Sequence, residues 1–146
     1  MFNRVLVPTD FSPSGDYALH VARQAFPDAL RRIVHVVDAR AVAVPDLTTG
    51  GVTPVPPSAE LQREFARVDD ARLDAVMLAG EERELLSGDP VRSILQSAQA
   101  WSADLIVLGT HGRHGLERFL LGSVAERVVR DSPIPVLTVH APHQPR

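Results

Sequence analysis

The chain has 146 residues and a formal net charge of −3, a length that fits one domain with a sizeable core and a balance that argues against a general nucleic-acid binder. It has no cysteine, and all fifteen basic residues are arginine, which excludes disulfides, thiol catalysis, zinc–thiolate sites, Schiff-base chemistry and the P-loop with its phosphate-reaching lysine. The opening MFNRVLVPTD is interrupted too soon for a signal peptide and no apolar run is long enough to span a bilayer, so a soluble, cytoplasmic protein without nucleic-acid or membrane partners is expected.

Arg4-Val5-Leu6-Val7 is a short apolar run ending in Pro8-Thr9-Asp10, the pattern of a buried strand. Ser12-Pro13 combines a helix N-cap with proline at the first helical position. Tyr17, Ala18, Val21, Ala22 and Ala25 keep helical spacing until Pro27. A second strand is predicted over Arg32–Val37, which is β-branched and mostly apolar. From Ala39 to Pro57 four prolines and Gly50-Gly51 leave little periodicity, and a long loop is expected.

Ser58 then caps a long helix whose apolar stripe is Leu61, Phe65, Val68, Ala71, Ala75 and Leu78, with Gly80 as its end. Glu82–Ser87 forms a third strand whose charges mark an edge. Asp89-Pro90 repeats the cap-plus-proline signal, and Val91, Ile94, Leu95 and Ala98 follow at helical spacing. Asp104–Leu108 is the clearest strand. After a glycine-rich loop, Ser123 opens a helix with Val124, Val128 and Val129, stopped by Ser132-Pro133. Pro135–Val139 is the last strand. Strands alternating with helices imply a parallel sheet covered on both faces. One domain over residues 1–146 is expected: a doubly wound, Rossmann-like α/β sandwich of five parallel strands in the order 3-2-1-4-5.

Such sheets bind ligands beyond the C-terminal strand ends, where the strand order reverses. Two segments stand there: Pro8-Thr9-Asp10 after the first strand, and Gly109 onward after the fourth, facing each other if those strands are neighbours. Gly109 and Gly112 can take positive φ and let the backbone approach a ligand. Gly122 sits at the mouth of the last helix, whose first amides and dipole make an anion site without lysine. Arg113 and Arg118 could add charge.

Plain structural roles fit the same residues. Ser123 to Glu126 has the spacing of a capping box. A glycine-rich segment can be a connecting loop only, and the dinucleotide fingerprint GxGxxG is absent. Asp10 suits a ribose hydroxyl or a metal, and equally an Asx-turn leading into the helix at Ser12. His111 and His114 lack further ligands and read as loop residues; the other histidines and Trp101 carry no site signal.

Gly109-x-x-Gly112, nine residues, then Gly122-Ser123 matches the G-2x-G-9x-G-[S/T] motif of the universal stress protein family. The resemblance extends to RVLVPTDFS at Arg4–Ser12, to His35-Val36-Val37-Asp38 at the end of the second strand, and to Ala103–Val139. The family's ATP-binding branch carries this motif intact. The resemblance therefore implies ATP, with Mg²⁺ or Mn²⁺ held largely by phosphates and water. It places Asp10 on the ribose near Pro8 and Thr9, and the Val36 backbone on adenine. Gly109 would lie by the ribose, and Gly112, Arg113, Gly122, Ser123 and Val124 would line the phosphates. It also implies a homodimer through the last strand, residues 135–140. The expected role is a stress-response module in which ATP is a regulatory ligand, slowly hydrolysed or not at all. A nucleotide-free dimeric interaction module of the same fold is the alternative, and an efficient ATPase is a third.

Overall fold

A computed structural model describes residues 1–37, 42–45, 47–110 and 121–142. β1 (Arg4–Pro8), α1 (Pro13–Ala25) and β2 (Leu30–Val37) open the chain. A hairpin of β3 (Val42–Pro45) and β4 (Val52–Val55) follows, then α2 (Ala59–Val76) and β5 (Glu82–Ser87). α3 (Pro90–Ala100), β6 (Leu105–Gly109), α4 (Ser123–Asp131) and β7 (Val136–Val139) complete it.

The main sheet runs β5-β2-β1-β6-β7, with each neighbouring pair parallel. This is the expected 3-2-1-4-5 order, and Glu82–Ser87 is an edge as its charges predict. β1 is central, so Val5, Leu6 and Val7 are fully buried on alternate faces. Val5 and Val7 join Leu19, Ile33 and Val107 under α1 and α2. Leu6 joins Val34, Ile94, Ile106 and Val128 under α3 and α4. The cap-plus-proline starts form as expected: the side chains of Ser12 and Asp89 accept from the amides of Gly15 and Arg92, and Ser58 likewise caps α2 through Leu61.

Three expectations need correction. The segment 39–57 contains an antiparallel hairpin, in register from Val42↔Val55 to Pro45↔Val52. Prolines did not forbid it, because each strand of a two-stranded ribbon has an outer edge that needs no N–H donor. Gly50, with φ of +71°, supplies the left-handed backbone near the turn.

Second, α2 turns a different face inward. Leu73 is its one buried residue among those described, while Phe65, Val68 and Leu78 are exposed. Charges orient the helix: Asp69 reaches His35 on β2, and Asp70 and Asp74 reach Arg83 on β5 at 2.5 and 3.0 Å. The helix also ends at Val76 rather than running to Gly80, which sits in the following turn with φ of +85°.

Third, Gly122 rather than Ser123 is the N-cap of α4, and no described side chain caps it. Ser123 is the first helical residue, so the capping box does not form.

At the N-terminal ends of the strands, α1, β2 and the turn after α2 meet on one carboxylate. The Glu81 side chain is 1% exposed. It accepts two bonds from Arg23 at 2.8 and 2.7 Å, one from Arg31 at 3.2 Å and one from the Leu78 amide at 3.0 Å. Burial pushes its pKa up, but the Arg23 bond, the Leu78 amide and the Arg31 bond outweigh burial and hold the carboxyl below its ordinary value. Because the folded value is the lower one, this stabilisation is present above the ordinary carboxylate pKa. It is lost as pH falls through the depressed value. Glu81→Gln, which takes the carboxylate charge from two half-buried guanidiniums, is expected to cost about 1–3 kcal/mol in urea unfolding at neutral pH. The difference from the wild type should shrink in acid; an equal difference at both pH values would show that the carboxylate charge is not what matters.

Candidate functional site

β1 and β6 are neighbours, paired at Val5↔Leu105 and Leu6↔Ile106. Pro8–Asp10 and Gly109 therefore leave adjacent strands at the same end of the sheet, where the strand order reverses. Pro8 closes β1 opposite Val34, and the Thr9 amide continues the ladder to the Val34 carbonyl at 2.9 Å.

The loop after β1 is built from its own side chains. Thr9 Oγ1 accepts from the Phe11 amide at 3.1 Å, and Asp10 Oδ1 from the Ser12 amide at 3.0 Å. Asp10 thus makes the Asx-turn that its sequence setting allows. Phe11 takes a left-handed φ of +62°. A Cβ at Gly15 would stand 3.0 Å from Asp10 Oδ1 and 3.1 Å from Thr9 Oγ1. The first turn of α1 is therefore pressed against the loop.

Gly109 works differently from expectation. It is not among the described glycines with positive φ. Its need is steric: a Cβ there would come within 2.5–2.6 Å of the Ser14 Oγ, carbonyl carbon and carbonyl oxygen. Beyond it, the Thr110 amide bonds the Val139 carbonyl at 3.1 Å, and the Thr110 carbonyl accepts from the Gly122 amide. The two ends of the glycine-rich segment thus meet above β6. Gly112 and Arg113, with His111, His114 and Arg118, lie outside the described residues. Gly122 has φ −58° and ψ 156°, and Ser123 and Val124 follow in the first turn of α4.

Val36 sits in β2 opposite Leu86 of β5 and packs, half-buried, towards the α3/α4 core. Its neighbour His35 is a residue that sequence reasoning passed over. His35 is 4% exposed. Its Nδ1 lies 2.7 Å from the Thr9 carbonyl oxygen and its Nε2 lies 2.9 Å from Asp69 Oδ2. The Phe11 ring lies against the imidazole, centroids 4.4 Å apart, and the Arg72 guanidinium lies 5.9 Å from the Phe11 ring centre. The available signal was a histidine inside a β-branched run, with an acidic pair breaking the helix pattern at 69–70. A groove of about 690 Å³ opens beside this loop, between Asp10, Pro13 and Asp16 on one side and Arg72 and Ala75 on the other.

Among the described residues no three histidine, aspartate or glutamate side chains gather as a metal site. No described helix is long and apolar enough to cross a membrane.

The architecture is that of a doubly wound α/β protein with its crevice between β1 and β6. The family model for the universal stress protein family matches residues 1–140. A universal stress protein of Methanocaldococcus jannaschii is 36% identical, over 97% of this chain and 84% of its own length. The solved universal stress protein UspA of Lactobacillus plantarum superposes with a TM-score of 0.71 at 29% identity, covering 94% of this chain and 97% of that one. A universal stress protein solved in complex with cAMP superposes with a TM-score of 0.59 at 27% identity, covering 97% and 98%. The chain belongs to the universal stress protein family.

Gly109→Ala tests the steric role directly. Replacing glycine by alanine restricts the unfolded chain and by itself stabilises by about 0.4–1 kcal/mol. Overlap with the Ser14 backbone costs about 1–3 kcal/mol and wins. A net loss of stability is expected in chemical denaturation; a gain would mean that α1 does not sit this close to β6.

Proposed function

We propose that this protein binds ATP, accompanied by Mg²⁺ or Mn²⁺, as a regulatory ligand in a stress response. The observation that carries the proposal is the start of α4. Side chains cap α1, α2 and α3, but α4 begins at Gly122 with none among the described residues. Its first amides and its dipole stand at the mouth of the β1/β6 crevice, which suits a phosphate acceptor. Gly122, Ser123 and Val124 would hold phosphate there, with Gly112 and Arg113 of the motif. Asp10 would take the ribose hydroxyls beside Pro8 and Thr9, and the Val36 main chain would meet adenine. The relative solved with cAMP supports an adenine nucleotide as the ligand class. ATP acts in this proposal by changing shape or partners, with slow hydrolysis or none.

The nucleotide-free reading draws on two observations: Gly109 and Asp10 both have structural work, against Ser14 and in the Asx-turn. Gly122→Asp separates the two readings. It supplies a capping side chain, so stability should stay within a few tenths of a kcal/mol or rise. It also puts negative charge where phosphate would sit, so ATP affinity measured by calorimetry should fall at least about tenfold. Unchanged affinity would exclude this phosphate site.

Homodimerisation through β7 belongs to the same proposal. β5 and β7 are the two sheet edges, and their chemistry differs. β5 carries Glu82, Arg83 and Glu84, which discourage edge pairing, whereas β7 is Val-Leu-Thr-Val with Leu137 and nearby Val129 exposed. Leu137→Glu is expected to convert a dimer to a monomer in sedimentation without unfolding it. A dimer that persists would place the interface elsewhere.

A further inference from the structure

The strongest unassigned feature is the buried pair of His35 and Asp69. Its geometry fixes its proton count. The Thr9 carbonyl oxygen only accepts, so Nδ1, 2.7 Å away, carries a hydrogen. An ionised carboxylate also only accepts, so Nε2, 2.9 Å from Asp69 Oδ2, carries one too. Placing the second hydrogen on the carboxyl instead leaves the count unchanged: the pair holds one proton more than a neutral imidazole beside a carboxylate. Remove that proton and one ring hydrogen must serve two acceptors; the anionic carboxylate of Asp69 is the stronger, so the ring keeps that bond and the Thr9 contact opens.

The surroundings decide which partner moves. α2 is held separately to β5 by Arg83, through Asp70 and Asp74. The loop after β1 meets the imidazole through the Thr9 carbonyl and the Phe11 ring, and these are the contacts the ring can release. Charged groups around the ring come from three elements. Asp69 and, behind it, Arg72 at 3.8 Å belong to α2, Asp10 lies in the loop, and Asp16 of α1 lines the adjoining groove. On β5 the register partner of His35 is Leu85, which carries no charge.

We propose that His35 is a positioning residue for the Thr9–Asp10 loop, and that the proton it shares with Asp69 sets the affinity of that loop for nucleotide. This rests on the ATP assignment in one respect only: Asp10 is the residue assigned to the ribose. Protonated, the pair clamps the Thr9 carbonyl and orders the turn that aims Asp10. Deprotonated, the ring lets go of the Thr9 carbonyl, and the turn that carries Asp10 loses that support.

Asp69→Asn is the decisive variant. An asparagine amide can donate to Nε2 of a neutral ring while Nδ1–H still holds Thr9, so the clamp no longer needs the extra proton. Two measurements, made across the pH range in which the protein stays folded, test the proposal. In the first, NMR follows the His35 ring nitrogens together with the backbone amides of Phe11 and Ser12. The loop amides should titrate with His35 in the wild type and stay still in Asp69→Asn. In the second, calorimetry with ATP and Mg²⁺ should show wild-type affinity falling about tenfold as His35 loses its proton, a typical coupling between sites. Asp69→Asn should keep its affinity, and His35→Phe should bind weakly at every pH. The titration of ATP itself is common to all three proteins and cancels in the comparison.

Loop amides that ignore the His35 titration overturn the proposal, whether or not nucleotide binds. Identical affinity profiles in the wild type and Asp69→Asn also overturn it. If no protein binds ATP while the loop amides still follow His35 in the wild type alone, the ATP assignment falls. The affinity clause falls with it, and His35 keeps only its role in positioning the loop.

Discussion

The first turn of α1 lies so close to the end of β6 that residue 109 has no room for a side chain. Much of the upper end of the molecule follows from that contact. It presses Gly15 onto the side chains of Thr9 and Asp10, and so shapes the loop after β1. It holds that loop beside the end of β6, where the Gly122 amide reaches back to the Thr110 carbonyl. The start of α4 is thereby brought to the same crevice as Asp10. A glycine of the family's spacing motif thus first serves to close-pack helix against strand, and any site there is built on that packing.

Electrostatics does for α2 what apolar burial does for the other helices. One buried leucine, worth about 1.5–3 kcal/mol, is a weak anchor for an 18-residue helix. Val76 packs half-buried on the same core, and ion pairs add to the orientation. Asp69 meets His35 near the C-terminal ends of the strands, Asp70 and Asp74 meet Arg83, and just beyond the helix Glu81 gathers Arg23 and Arg31. Paired charges need specific geometry, so they fix a rotation that an apolar stripe alone would leave loose. The side with Phe65 and Val68 is left towards solvent as a consequence.

Most of the architecture was legible because its signals are local. The run Val5-Leu6-Val7, the starts Ser12-Pro13 and Asp89-Pro90, and the charged edge at Glu82–Glu84 each announce their element within a few residues. The hairpin at Val42–Val55 was hidden because proline counts as a breaker in isolation, while a ribbon with free outer edges tolerates it. The face of α2 was misread because an apolar stripe at helical spacing was taken as the inward one. His35 was passed over because a histidine in a strand has no meaning until its partners are known.

The sequence by itself determined the strands of the main sheet and the four helices, their order, the parallel sheet and the glycine motif, since hydrophobic period, caps and spacing are properties of neighbouring residues. Tertiary structure alone decided that Gly109 yields to Ser14, that Gly122 and not Ser123 begins α4, and that His35 bridges Thr9 to Asp69. Those outcomes depend on atoms brought together across long separations, 26 residues for Thr9 and 34 for Asp69. No local pattern encodes which donor will meet which acceptor until the sheet and its helices have set the distance between them.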